Sequence, residues 1–62
     1  MTEYKRKRII SAIQDYLEDH GMILSEWEHG FLEDISAMLQ RGEDLSSKQR
    51  DRMTDIIGFG YL

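Results

Sequence analysis

Ser25-Glu26-Trp27-Glu28-His29-Gly30-Phe31-Leu32-Glu33-Asp34-Ile35-Ser36-Ala37-Met38-Leu39-Gln40-Arg41-Gly42 is a helix with both of its ends written into the chain. Ser25-Glu26-Trp27-Glu28 has the form of a capping box. The Ser25 hydroxyl accepts from the Glu28 backbone N–H, and the Glu28 carboxylate accepts from the backbone N–H of Ser25. Trp27, Phe31, Ile35, Met38 and Leu39 then recur at helical spacing, an apolar stripe widened by Leu32. Gly42 marks the end, where a residue without a Cβ reverses the chain. Gly30 stands inside the helix at a cost of about 1 kcal/mol relative to alanine. It shares a flank with Ala37, so close approach of another helix is one reason to accept that cost.

The same grammar extends in both directions. Downstream, Ser46-Ser47-Lys48-Gln49 is the glutamine form of the box. Gln49, Met53, Ile56 and Ile57 make a narrower stripe, and Gly58 closes it. Upstream, Ile9, Ile13, Tyr16, Leu17 and His20 fall on one face, with Arg6 a turn earlier and Ile10 on the flank. Thr2 is the candidate N-cap of that helix, and Gly21 the candidate left-handed residue after it. No segment alternates like a strand, and no Asn-Gly or Asp-Gly hairpin signal occurs. Short linkers favour antiparallel neighbours. The predicted fold is all-α, a three-helix mini-bundle with helices at 3–19, 26–41 and 47–57 in a single domain, 1–62. Its short apolar tail, Phe59-Gly60-Tyr61-Leu62, is expected to fold back over the bundle. Met22-Ile23-Leu24 fits least well, since three apolar residues crowd one connection. They either plug the bundle or form a contact surface.

A chain of 62 residues buries only about 60% of the surface it exposes when unfolded. Such a core supplies about 3–5 kcal/mol unless disulfides, metal or a partner add to it. There is no cysteine, which removes disulfides, thiolate chemistry and thiolate metal sites together and suits a reducing compartment. The start reads as no signal peptide, because its basic patch is followed by only two consecutive isoleucines. No apolar run approaches the roughly 20 residues of a membrane span. The expected location is the cytoplasm. Net charge is −4 but unevenly placed: residues 1–20 balance, residues 21–45 carry −5, and residues 46–62 carry +1. An acidic chain is a poor general binder of nucleic acid, although a local basic patch still binds it.

The stretch Leu24-Ser25-Glu26-Trp27-Glu28-His29-Gly30-Phe31-Leu32-Glu33-Asp34-Ile35, followed by Gly42 and Leu45-Ser46-Ser47-Lys48-Gln49, resembles a recurring module of bacteriophage proteins. In that module a Trp-Glu followed by Phe-Leu precedes a Leu-Ser-x-Lys-Gln helix start. The similarity spans residues 24–57 and leaves the basic first helix outside. It implies an association with phage nucleic-acid metabolism and carries no functional residue across. Trp27, Phe31 and Ile35 read equally as core, Ser25 and Ser46 as caps, Glu28 and Gln49 as box partners. Only Lys48 has no structural duty.

Lys5-Arg6-Lys7-Arg8 is the most pointed charged feature. Successive helical residues fan out by about 100°, so the four cannot share a face. Arg6 falls on the apolar side, where its stem can cover core while its charge stays wet. The bases lie at the positive end of the helix dipole, and Asp15, Glu18 and Asp19 at the negative end, each costing about 0.3–1 kcal/mol at most. The functional reading is phosphate contact by Lys5, Arg6, Lys7, Arg8 and Lys48. The plainer reading is pairing with the acidic second helix. A helix-turn-helix reading through Ser47, Lys48, Arg50 and Arg52 suffers from Glu43 and Asp44 in the turn and from Arg50 and Arg52 on opposite sides of the stripe.

Glu26, His29 and Glu33 share an outer face. A single outward Glu-x-x-His falls short of the paired, inward motifs of carboxylate-bridged metal sites, so no metal is expected. Trp27, Phe31, Met38 and Met53 read as core rather than a ligand box. With no Ser–His–acid spacing, no glycine-rich phosphate cradle and no metal set, the chain reads as a non-enzyme without a cofactor. Tyr4, Met22, Ile23, Tyr61 and Leu62 exceed what one mini-bundle hides. With the acidic Glu26 and Glu33 they are the candidate partner-binding surface, for a larger protein or a second copy. The leading expectation is an accessory protein that binds and modulates a nucleic-acid-processing machine. Direct nucleic-acid binding through the first helix comes second, and a self-associating structural role third.

Overall fold

The structure, a computed structural model, describes residues 2–58. Three helices account for it: α1 at Glu3–His20, α2 at Glu26–Gln40 and α3 at Ser47–Ile57. A short 3-10 turn at Gly21–Ile23 lies between α1 and α2. The predicted all-α three-helix mini-bundle is what forms, with each boundary within a residue of its expected place. Residues 59–62, and with them the expected fold-back of the tail, lie outside the described residues.

Each helix starts where its side chains satisfy the first free backbone donors. The Thr2 hydroxyl accepts from the Lys5 N–H at 3.1 Å. Both capping boxes close reciprocally. Glu28 N–H donates to Ser25 Oγ at 3.1 Å and Ser25 N–H to Glu28 Oε1 at 3.0 Å. Gln49 N–H donates to Ser46 Oγ at 3.2 Å and Ser46 N–H to Gln49 Oε1 at 2.9 Å. The Gln49 amide is thereby positioned to donate to Met38 Sδ at 3.5 Å, tying the start of α3 to the end of α2. α2 ends in a Schellman motif: Glu43 N–H donates to Met38 O, Gly42 N–H donates to Leu39 O, and Gly42 has φ +85°.

Gly21 departs from expectation. Its φ of −58° is right-handed, and its N–H still reaches Leu17 O. The chain does not reverse at the end of α1; it tightens into the 3-10 turn, which keeps the same hand and needs no left-handed residue.

Ile13, Leu32, Ile35, Leu39, Leu45, Met53 and Ile57 form the core. Ile9, Ile10, Tyr16, Leu17, Leu24, Phe31 and Ile56 pack against it. Arg6 reaches Asp44 while the Gly21 end of α1 faces His29, so α1 and α2 run antiparallel. Burial on α2 centres on Leu32, Ile35, Ser36 and Leu39. Trp27 is therefore not core as expected but 60% exposed. At 100° per residue it lies about 140° around the helix from Leu32, beyond the arc that α1 and α3 cover. The flank of Gly30 and Ala37 faces away for the same reason. A Cβ on Gly30 would meet nothing within 4 Å, so the helix expected to approach there does not exist among the described residues.

Candidate functional site

The connection between α1 and α2 carries the most exposed apolar side chains of the described residues. Leu24 turns inward and packs against the core, which consumes one of the three crowded apolar residues. The 3-10 turn then points the other two outward: Met22 is fully exposed and Ile23 is 77% exposed. Of the two readings that the sequence left open, Leu24 follows the first, as a plug, while Met22 and Ile23 stay outside the core. Trp27, one turn into α2, is stacked on Phe31 with ring centroids 5.3 Å apart and planes 9° apart. The Arg52 guanidinium of α3 sits 5.6 Å from the Trp27 centroid. An open cleft of about 380 Å³ lies beside this pair, with Lys48, Gln49, Asp51, Arg52 and Asp55 along its α3 wall. Its two bases and two acids balance, so it offers no net charge to a ligand.

Charge around the turn is one-sided. Between Ile9 and Gln40 the chain has seven carboxylates, Asp15, Glu18, Asp19, Glu26, Glu28, Glu33 and Asp34, and neither lysine nor arginine. Glu28 is committed to its capping box. His29 Nδ1 lies 2.9 Å from Glu33 Oε1, which makes the outer face of α2 an i,i+4 pair. Glu26 is exposed on the same face, and no group of three or more His, Asp or Glu side chains converges among the described residues. His20 lies against the Tyr16 ring instead, with centroids 4.9 Å apart.

The basic run at the other end of α1 is divided by the helix. Arg6, its side chain only 20% exposed, reaches across to Asp44 with Nη1–Oδ1 at 2.9 Å, tying α1 to the loop between α2 and α3. The pairing partner is that loop rather than the body of α2. Lys7 Nζ stands 3.9 Å from Glu3 Oε1 one turn back. Arg8 lies over the ring of the exposed Tyr4, 6.0 Å from its centroid. Lys5 is exposed, and Lys48 is on α3, beside the Trp27 cleft rather than beside the basic run. The five candidate phosphate-binding bases therefore do not form one patch. Between α1 and the end of α2 at this end lies a notch of about 280 Å³, lined by Glu3, Arg6, Lys7, Ile10, Gln40 and the buried Leu39.

Of the residues singled out as a partner surface, Tyr4, Met22, Ile23, Glu26 and Glu33 are exposed, and Met22, Ile23 and Glu26 cluster at the turn. Tyr4 is at the opposite end of α1. Tyr61 and Leu62 lie outside the described residues. Trp27 was missed as a surface residue, because the apolar stripe runs through it and only the position of the covering helices makes Leu32 the buried centre. Comparison with family models, with curated proteins and with solved structures finds no match to this chain.

Proposed function

We propose that this chain is a non-catalytic protein-interaction module whose working surface is the turn between α1 and α2. The observation that carries the reading is the outward display of Met22 and Ile23 by a chain whose core has few apolar side chains to spare. Exposing two large aliphatic residues side by side forgoes burial worth about 1.5–3 kcal/mol each. A domain of this size gains from recovering that burial against a partner. The carboxylates around the turn select a partner whose surface is basic, and they repel acidic ones, nucleic acid included. The resemblance to phage modules supports placing that partner in a nucleic-acid-processing machine of the host or phage cytoplasm, with this chain as its regulator. Direct nucleic-acid binding through Lys5, Arg6, Lys7 and Arg8 is the weaker reading, because Arg6 is spent on Asp44 and the four side chains diverge.

Photo-crosslinking in cells tests the proposal. A benzophenone side chain at position 22 should form protein adducts that the same group at the exposed Gln14 does not form. Substituting Glu18, Asp19 and Glu26 by glutamine should weaken them. Equal adduct patterns at the two positions would sink the reading.

A further inference from the structure

Trp27 is the only tryptophan in the chain, and its exposed ring faces a cation. The stack on Phe31 holds the plane of the indole, and the Arg52 guanidinium rests 5.6 Å from its centroid. Arg52 is itself exposed, and Asp55 stands about one turn further along α3. Among the described residues no carboxylate pairs with Arg52; its partner is the ring. Asp51 and Asp55, exposed on the α3 wall of the same cleft, likewise have no ion pair among the described residues. The charges of the cleft therefore balance only while Arg52 is counted. With Arg52 swung into water, Lys48 alone faces two unanswered carboxylates, beside a lining of Trp27 and Phe31.

We infer that the Trp27 cleft is a receptor for an arginine side chain of a basic protein segment, and that Arg52 fills it in the free chain. Arg52 identifies the chemistry, since a planar, weakly hydrated cation already rests against the ring. An apolar side chain would gain the ring and leave the carboxylates unanswered. A phosphate would meet them as like charges. Arginine is favoured over lysine because its flat guanidinium stacks on the indole while its N–H groups donate to Asp51 or Asp55. An exposed contact such as Arg52–Trp27 is weak enough to be exchanged for another of the same kind. Met22 and Ile23 lie outside the lining of the cleft, so this site does not depend on the turn.

NMR titration tests the site, using a short capped peptide of alternating glycine and arginine. A twin peptide with citrulline keeps the shape and loses the charge. The single indole N–H signal of Trp27 should move with the arginine peptide and saturate, with a midpoint of about 1 mM, and should ignore the citrulline peptide. Over the same range the Arg52 Nε–H signal should lose the ring-current shift that the indole gives it. Arg52→Gln vacates the ring and should tighten binding by about 2–5-fold, the worth of one exposed contact of this kind. Asp51→Asn with Asp55→Asn should weaken binding by about 2–5-fold. Asp15→Asn with Glu18→Gln makes the same change of charge on α1, outside the cleft, and should leave binding as it was. All of these positions are exposed, and helical dichroism checks that each variant folds. A Trp27 signal indifferent to the arginine peptide up to about 10 mM overturns the inference. So does a citrulline peptide that acts as well, or an Arg52→Gln variant that binds more weakly. An equal loss from the α1 substitutions overturns it too, because the attraction would then be to net charge alone. None of these results bears on the crosslinking at position 22, which reads the turn.

Discussion

Leu32 and Trp27 stand five residues apart on α2 and have exchanged the roles that side-chain size suggests for them. Leu32 has no exposed surface, whereas Trp27, the largest side chain in the molecule, keeps more than half of its own in water. The apolar stripe as spelled runs through Trp27, Phe31 and Ile35. Burial instead follows the arc from Ile35 through Leu39 and Leu32 to Ser36, which lies nearer the middle of what α1 and α3 enclose. Hydrophobicity alone does not distinguish the two arcs, because both contain Ile35 and Leu39. What decides is the position of the covering helices, a tertiary property. The consequence is measurable. Leu32→Ala should cost about 2–5 kcal/mol, in the range of cavity-forming core truncations. Trp27→Ala, which removes a stack on Phe31 and a contact with Arg52 but opens no cavity, should cost about 1 kcal/mol. Urea unfolding followed by dichroism compares them, and a Trp27 variant as destabilised as the Leu32 variant would return the indole to the core.

At the level of the helix, what can be read locally is what came through. Ser25 with Glu28, Ser46 with Gln49, and Gly42 each act over at most a turn and a half of chain, so their spelling suffices to place helix ends. Gly21 failed as a stop signal because glycine permits a left-handed residue without requiring one, and the 3-10 continuation used the right-handed alternative. Gly30 failed as a packing signal because its flank lies about 160° from Leu32, on the side facing water. Gly30 within α2 and Gly42 just past its end therefore predict opposite effects of the same substitution. Gly30→Ala adds a Cβ into open space within a helix and should stabilise by about 0.5–1 kcal/mol. Gly42→Ala forces a Cβ onto a residue with φ +85° and should destabilise by about 1–2 kcal/mol. Chemical denaturation of the two variants side by side reads the signs. If both shift the midpoint in one direction, the glycines differ less in backbone setting than the structure has them.

Over the whole molecule the charge pattern opposes the fold, and this sets the sign of its response to salt. Seven carboxylates lie on the stretch of α1 and α2 between Ile9 and Gln40, with no lysine or arginine there to offset them. The dipole of α1 meets basic side chains at its positive end and acidic ones at its negative end, so it adds to the penalty. Against this stand, among the described residues, contacts such as Arg6–Asp44 and Arg41–Glu43, with an exposed carboxylate each and in a class worth about 0–1 kcal/mol, and Lys7–Glu3 and His29–Glu33, each spanning one turn of a single helix. Raising ionic strength screens both kinds, but the repulsive set is larger and spread over the whole helical hairpin. Salt should therefore stabilise the monomer. At about 1 kcal/mol gained, the unfolding midpoint of a domain this small rises by about 4–8 °C. Melting the protein at about 10 mM and about 300 mM sodium chloride spans the change in Debye length from about 30 Å to under 10 Å. Neutralising Glu18, Asp19 and Glu26 to glutamine should then reproduce much of the gain at low salt and leave little for salt to add. A midpoint that falls with salt would mean that the Arg6–Asp44 tie and its neighbours outweigh the crowding of carboxylates, and the electrostatic argument for a basic partner would lose its footing with it.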